Sequence, residues 1–362
     1  MSRRVNKRTE RNADRHSTTS APNHRFHRSH HQSAPHSDGV LDATPQSILL
    51  RARYKPATQY KYTKAVLRFI RWQHRYYPSV ERRLQRFDEL DRLLHRYFEH
   101  LRRSGRGLQQ ATFTYCGVIM IRRDAKGRLP FSMAALSGWR LLRPSRQHPP
   151  MTWPLACAVA HQLAATGHTW VAVGTLLAFD CLLRVSELVA IRLRDVSDSV
   201  QVDPRLPRHT SITLPLTKSG RTQSVRIIDR NVLKLFQRVV LTKAEQLNDT
   251  LFPITAAQFR RRFKLACSQL GLSSRYVPHS LRHGGATMMY MFGTPAADIK
   301  IRGRWKELDT CERYIQSGEA MIGTIRAPET ALRIGNIVAL DPVRFISAAF
   351  KRHSRVESSG GQ

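Results

Sequence analysis

Along this chain, apolar residues recur at helical spacing in several separated blocks and alternate in only one. In "YKYTKAVLRFIRWQHRYY" (residues 60–77), Tyr62, Ala65, Val66, Phe69, Ile70, Tyr76 and Tyr77 follow a 3.6-residue period and predict an amphipathic helix. "ELDRLLHRYFEHLRRSG" (89–105) puts Leu90, Leu93, Leu94, Tyr97, Phe98 and Leu101 on one face, with Gly105 as its stop. A third helix is expected over Gln109–Arg123. From Thr152 to Gly323 the pattern is helical again, except in "SITLPLTKSGRTQSVRIID" (211–229), where β-formers alternate on both sides of Thr217–Thr222. Ser219-Gly220 makes that segment a turn, so Lys218 and Arg221 are expected at the tip of a β-hairpin. The fold class that follows is mainly α: an N-terminal helical domain, then an α+β domain with a small hairpin or sheet.

The remaining segments set the domain plan. Residues 1–45 show no apolar period and are rich in Ser, Arg, His, Pro and Asn, the composition of a disordered basic arm. The helical domain is expected over 46–145, a proline-rich linker over 146–151, and the second domain over 152–325. The last segment, 326–362, reads as a tail containing an amphipathic piece, "DPVRFISAAFKRH" (341–353).

Charge sharpens this picture. Sixty Lys and Arg against 26 Asp and Glu leave a net charge of +34, which implies a polyanionic partner, nucleic acid first. The excess is not concentrated in the arm: residues 46–150 alone carry 23 basic and 6 acidic side chains. Within the first predicted helix, Lys61, Lys64, Arg68, Arg71 and Arg75 recur at spacings of three and four, and no acid occurs between Arg53 and Glu81. A merely solvated face interleaves Glu, so this stripe is a candidate for phosphate contact. The stretch "SRRVNKRTERNADR" also has the composition of a nuclear import signal.

Other classes lose ground. The five cysteines are far apart, odd in number and form no CxxC pair, which points to reduced thiols without a structural zinc site. No signal peptide pattern opens the chain, and the longest apolar run, Trp170–Phe179, is too short to span a membrane.

Four places carry candidate chemistry. In "LLAFDCLLRVSELVAIRLRDV", Arg184 stands between two apolar segments, and Ser186 offers an N-cap to the second. Such an arginine needs an anion, either a ligand or the nearby Glu187 or Asp180. In "PHSLRHGGATMMYMF", His279, Arg282 and His283 share one side of a helix that begins at Pro278, where the helix N-terminus adds partial positive charge. All charged, they would repel one another, so an anion is expected against them. Gly284 and Gly285, costly in a helix interior, imply a close neighbour. In "FGTPAADIKIRGRWKELDTCERYIQ", Thr294 is expected to cap one helix, and Asp309 with Glu312 to cap another that bears Tyr314, with Trp305 between them.

Together, "LRVSE" (Arg184), "TKSG" (Lys218), "HSLRH" (His279, Arg282), "GRW" (Trp305) and "RYI" (Tyr314) resemble, in order and interval, the motifs of the tyrosine recombinase (phage integrase) family. The resemblance covers about 46–323, and "HSLRHGGAT" and "GRW" look closest to eukaryotic mobile-element members such as DIRS-like and Crypton elements. The chain departs from the commonest pattern at Leu183, where glycine is frequent, and at Trp305, where histidine is commoner. The resemblance implies a SAM-like core-binding domain followed by a catalytic domain. It implies transesterification of double-stranded DNA without metal or other cofactor, by a homotetramer on two duplexes that passes a C-terminal segment between protomers. Arg184 and Arg282 would hold the scissile phosphate, with His279 and Trp305 adding hydrogen bonds. Lys218 would protonate the departing 5′-oxygen, and Tyr314 would be the nucleophile. Glu187 and His283 would support them. Two other readings stand beside this one: a type IB topoisomerase, which uses a similar Arg, Lys, His and Tyr set, and a domesticated DNA-binding protein without activity, which should show decay of that set, and none is visible.

Overall fold

The computed structural model describes residues 53–78, 86–142, 148–198, 209–214 and 222–359. The expected basic arm, its import signal, and Lys218 and Arg221 at the hairpin tip lie outside the described residues. The chain divides between residues 143 and 144 into two compact units.

The first unit is helical: α1 (Pro56–Tyr76), α2 (Phe87–Arg103), α3 (Leu108–Ile121) and α4 (Pro130–Leu142). Its core joins Val66 and Phe69 of α1 to Leu94, Tyr97 and Phe98 of α2, and to Trp139 of α4, which the sequence pattern did not mark as a helix. Proline at the start of α1 supplies the first-turn φ without wasting an N–H. The inward face of α1 differs from the expected one at three positions. Ile70 and Tyr76 are exposed, and Gln73 is buried instead. Gln73 donates its amide to the Tyr77 carbonyl at the end of the helix, which satisfies it. Tyr76 lies at the rim, against Trp72 and His100. Asp91, 1% exposed, accepts the backbone N–H groups of Phe131 and Ser132 at 2.8 Å. It pins α4 to α2 with a carboxylate at a helix N-terminus.

The second unit is built around α6 (Thr169–Asp180), which is buried along nearly its whole length. Around it pack α5 (Trp153–Ala165), α9 (Ala256–Gln269) and α10 (Pro278–Met291). One flank carries α7 (Val185–Leu188), then an antiparallel sheet of β1 (Val196–Asp198), β2 (Thr210–Leu214) and β3 (Gln223–Arg226), followed by α8 (Arg230–Leu235). Strands β2 and β3 pair from Ser211↔Arg226 to Leu214↔Gln223, as the alternating pattern predicts. β1 covers only three described residues, too few for its period to show.

Two boundaries move. Met151, expected in the linker, is fully buried in the second core, and its N–H donates to the Ser280 carbonyl at 2.9 Å. After α11 (Ala296–Gly303), α12 (Leu308–Glu312) and α13 (Ser317–Ile325), the expected tail folds as α14 (Glu329–Leu340) and α15 (Pro342–Ser359). Both pack on α5 of the same chain, through Ala331, Val338 and Ile346. These residues lie on one apolar face across a break at Asp341, which is why the pattern looked loose.

The two glycines of α10 do what their cost implies. A Cβ on Gly284 would lie 1.7 Å from the Met151 carbonyl oxygen, and one on Gly285 2.3 Å from that of Phe179. Only glycine lets α10 lie against α6 and the Met151 backbone at once, and that contact places the N-terminal turn of α10.

Candidate active site

The first turns of α10 present His279, Arg282 and His283 at successive positions of one helix side. The chain between α6 and α7 brings Arg184 opposite them. Its turn passes through Leu182, whose φ of 50° reverses the chain. Arg184, not the expected Ser186, is the N-cap of α7, and the Glu187 carboxylate accepts its backbone N–H at 2.9 Å. Glu187, 8% exposed, is the resident anion of the cluster. One carboxylate oxygen accepts the Arg184 guanidinium, the other accepts Arg304 at 3.0 Å, and Arg282 lies 3.9 Å away. Burial works against its charge, but Arg304 first and Arg184 after it hold the carboxyl below the usual range.

The repulsion expected among the three basic residues of α10 is thus relieved from within. Burial, then the Arg282 charge, pushes His279 down to about 4. Burial, then His279, pushes His283 down to about 3. Both imidazoles are neutral at pH 7. Three guanidiniums on one carboxylate still leave a surplus of two positive charges, with Arg184 the outermost at 31% side-chain exposure. That surplus suits an anionic ligand.

Tyr314 is not on a helix, as its spacing suggested. Helix α12 ends at Glu312, and Tyr314 sits in the turn that follows. Thr287 of α10 fastens that turn: its hydroxyl donates to the Tyr314 carbonyl at 3.1 Å and accepts the Gln316 N–H at 3.1 Å. The result is a tyrosine hydroxyl 3.0 Å from His279 Nε2. The Tyr314 ring stacks on His283 with centroids 4.3 Å apart and meets Trp305 at 4.7 Å.

Arg282 departs from expectation. It is fully buried, and its two terminal nitrogens donate to the carbonyls of Leu182 and Gly303. Its guanidinium lies 4.5 Å from the Trp305 ring centre and 5.8 Å from that of Tyr314. Burial, with Arg184 and Arg304 beside it, lowers its pKa. In this arrangement Arg282 is a wall of the site and not an open bidentate clamp. Arg282 Nε and Trp305 Nε1 are buried without a hydrogen-bond partner among the described residues, an unusual concentration of unused donors beside one tyrosine.

Five of the six expected catalytic residues therefore converge, and Lys218 lies outside the described residues. Sequence reasoning missed two contributors. Thr287 is four residues beyond His283 on the same helix side, a signal that was available. Arg304 is adjacent to Trp305 but is one cation in a basic stretch, so nothing marked it. Among the described residues, no group of three or more His, Cys, Asp or Glu gathers to hold a metal, and no helix is long and apolar enough to cross a membrane.

In the first unit, Lys61, Lys64, Arg68, Arg71 and Arg75 are all exposed along α1. None of them forms an ion pair among the described residues. Lys61, Lys64 and Arg68 line a groove of about 530 Å³ with Arg106.

Residues 157–321 match the family model described as "Phage integrase family". Over that segment, which is less than half of its length, the chain is similar to the phage integrase family. That match spans the fold from α5 into α13 and contains Arg184, His279, Arg282, Trp305 and Tyr314. Solved structures agree on the fold. A lambda integrase dimer bound to a COC' core site matches with a TM-score of 0.54 at 14% identity, covering 75% of this chain and 92% of that one. A lambda integrase tetramer bound to a Holliday junction gives 0.52 at 15% identity, covering 74% of each chain. The XerH site-specific recombinase on a palindromic difH substrate gives 0.50 at 14%, covering 70% of this chain and 75% of that one. No curated protein sequence matches the chain.

Proposed function

We propose that this protein is a tyrosine recombinase that cuts and rejoins double-stranded DNA through a 3′-phosphotyrosyl intermediate on Tyr314. The observation that carries this reading is the hydroxyl of Tyr314 at 3.0 Å from a neutral His279, beside a guanidinium cluster with excess positive charge. Neutral His279 accepts the phenol proton as Tyr314 Oη attacks phosphorus, forming the Oη–P bond. The P–O5′ bond breaks, and Lys218, which falls between β2 and β3 in the sequence, gives the departing oxygen its proton. Arg184 and the indole N–H of Trp305 meet the negative charge that builds on the non-bridging oxygens. Arg282 holds that surface electropositive from behind, until movement of Tyr314 uncovers it. The reverse reaction, with a 5′-hydroxyl from another strand, rejoins the backbone without an outside energy source.

The exposed stripe on α1 supports a second contact along the duplex backbone, through phosphates. Assembly as a tetramer on two duplexes, an origin in a mobile element and action in a nucleus complete the proposal. They rest on the motif resemblance and on the basic N-terminal stretch. The test is covalent trapping. Wild type and Tyr314→Phe are incubated with nicked duplex, and SDS-resistant adducts are scored. An adduct with wild type alone supports the reading; tight binding without an adduct, across several substrates, sinks it in favour of a binding protein.

A further inference from the structure

Two non-glycine residues of the described chain have left-handed backbone, Leu182 at φ 50° and Arg304 at φ 57°, and a hydrogen bond joins them. L side chains rarely adopt this region, so each needs surroundings that hold it there. Arg304 is held by its own guanidinium. One terminal nitrogen donates to the carbonyls of Cys181 (3.3 Å) and Arg302 (2.9 Å), the other to the Leu182 carbonyl (2.8 Å) and to Glu187 (3.0 Å). The side chain is 2% exposed, too deep to meet a ligand at the surface.

These four acceptors lie on both sides of the site. Cys181 and Leu182 belong to the turn that delivers Arg184, while Arg302 lies in the last turn of α11 and Arg304 itself in the turn after it, which delivers Trp305. Both turns also receive the buried guanidinium of Arg282, through the carbonyls of Leu182 and Gly303. Arg304 divides Glu187 as well, taking one carboxylate oxygen and leaving the other to Arg184. Without Arg304, the oxygen that it held keeps the Arg184 backbone N–H and can turn on the guanidinium of Arg184, the outermost cation of the cluster, as well, and the surplus charge falls from two to one.

We propose that Arg304 is a positioning residue for strand cleavage, which staples the Arg184 turn to the Trp305 turn and keeps Glu187 from turning both its oxygens on the Arg184 guanidinium. The proposal rests on the recombinase reading above. It differs from a packing role because it assigns the effect to the guanidinium, and the backbone geometry separates the two. Glycine is at home at φ 57°, so Arg304→Gly relieves the strained backbone while deleting the cation.

Single-turnover cleavage of nicked duplex is measured for wild type, Arg304→Gly, Arg304→Lys and Tyr314→Phe, with DNA affinity and thermal midpoint alongside. Arg304→Gly is expected to cleave roughly a hundredfold more slowly, with affinity within about threefold of wild type, a kcat loss of the kind that deleting one preorganised donor causes. Millimolar guanidinium should restore cleavage about tenfold, where equal sodium chloride does not. Arg304→Lys keeps the charge but cannot serve four acceptors, and falls between the two. If either variant folds and cleaves at the wild-type rate, the proposal is wrong. It is also wrong if Arg304→Gly loses cleavage and guanidinium restores nothing, since that pattern marks packing alone. If wild type itself forms no adduct, the recombinase reading fails first and takes this one with it.

Discussion

His283 lies flat against Tyr314, ring planes 19° apart and centroids 4.3 Å apart, while His279 meets the same ring edge-on from one turn earlier. One histidine thus supports the face of the phenol and the other addresses its oxygen. The division of labour follows from helical geometry: residues four apart lie one above the other, so a single helix touches two parts of one side chain.

The stack makes a prediction. Tyr314 sits in a turn held by Thr287, and its ring is steadied by His283 and Trp305. His283→Phe keeps an aromatic face and should cleave nicked DNA within about threefold of wild type. His283→Ala leaves the ring one support short. A stacking contribution of ~1 kcal/mol then corresponds to roughly five- to tenfold slower cleavage at unchanged DNA affinity. Equal losses in both variants would assign the role to the imidazole nitrogens instead.

Acid should weaken the second unit. His279 titrates near 4 and His283 near 3 in the folded chain, against 6.5 unfolded, because burial and neighbouring positive charge disfavour the cations. The unfolded chain therefore binds more protons between about pH 4 and 6.5. Stability is full above pH 6.5 and is lost as pH falls through that window. The slope is on the order of 1.4 kcal/mol per pH unit for each histidine. Denaturant midpoints of wild type and His283→Gln, taken from pH 7 to 4.5, check this: the variant should show a shallower fall. Parallel curves would mean that His283 is not held neutral.

Much of this arrangement was legible in the sequence, and the exceptions have physical causes. His279, Arg282 and His283 were readable because a helix converts spacing into a shared side. Gly284 and Gly285 were readable because glycine in a helix interior needs a reason. Arg184, Trp305 and Tyr314 were singled out by motif order, which says nothing about which element carries them, so Tyr314 was placed on a helix and sits in a turn. Glu187 was seen as one partner of Arg184. Its place at the centre of three arginines depends on Arg304, whose side chain is aimed by a positive φ that no apolar pattern encodes. Strand β1 covers too few described residues to show a period, and α14 and α15 bury one face across a break between helices.

The α1 stripe predicts a salt effect without a chemical one. Each lost phosphate contact should reduce the slope of log affinity against log salt by about 0.9. The triple variant Lys61→Gln, Lys64→Gln, Arg68→Gln should flatten that slope by two to three. It should bind duplex more weakly at low salt, yet cleave at the wild-type rate once DNA is saturating. An unchanged slope would make the stripe a solvated face.

Gly284 allows the packing argument to be tested apart from chemistry. A Cβ there meets the Met151 carbonyl at 1.7 Å and the Phe179 ring at 2.9 Å, whereas one at Gly318, also helical and in the same unit, meets nothing within 4 Å. Neither has a positive φ, so conformational strain does not separate them. Alanine at 318 gains helix propensity and should change stability by less than about 1 kcal/mol in the favourable direction. Alanine at 284 must push α10 off the Met151 backbone, which cannot rotate away as a side chain does. It should cost about 3 kcal/mol or more, the upper end of overpacking. Because α10 carries His279, the same displacement should lengthen the 3.0 Å approach to Tyr314 and slow cleavage even in the fraction that stays folded. Urea midpoints of the two variants, with cleavage measured well below the transition, decide the matter. A Gly284→Ala protein as stable and active as wild type would show that α10 has room to shift and that its glycines do not place the site.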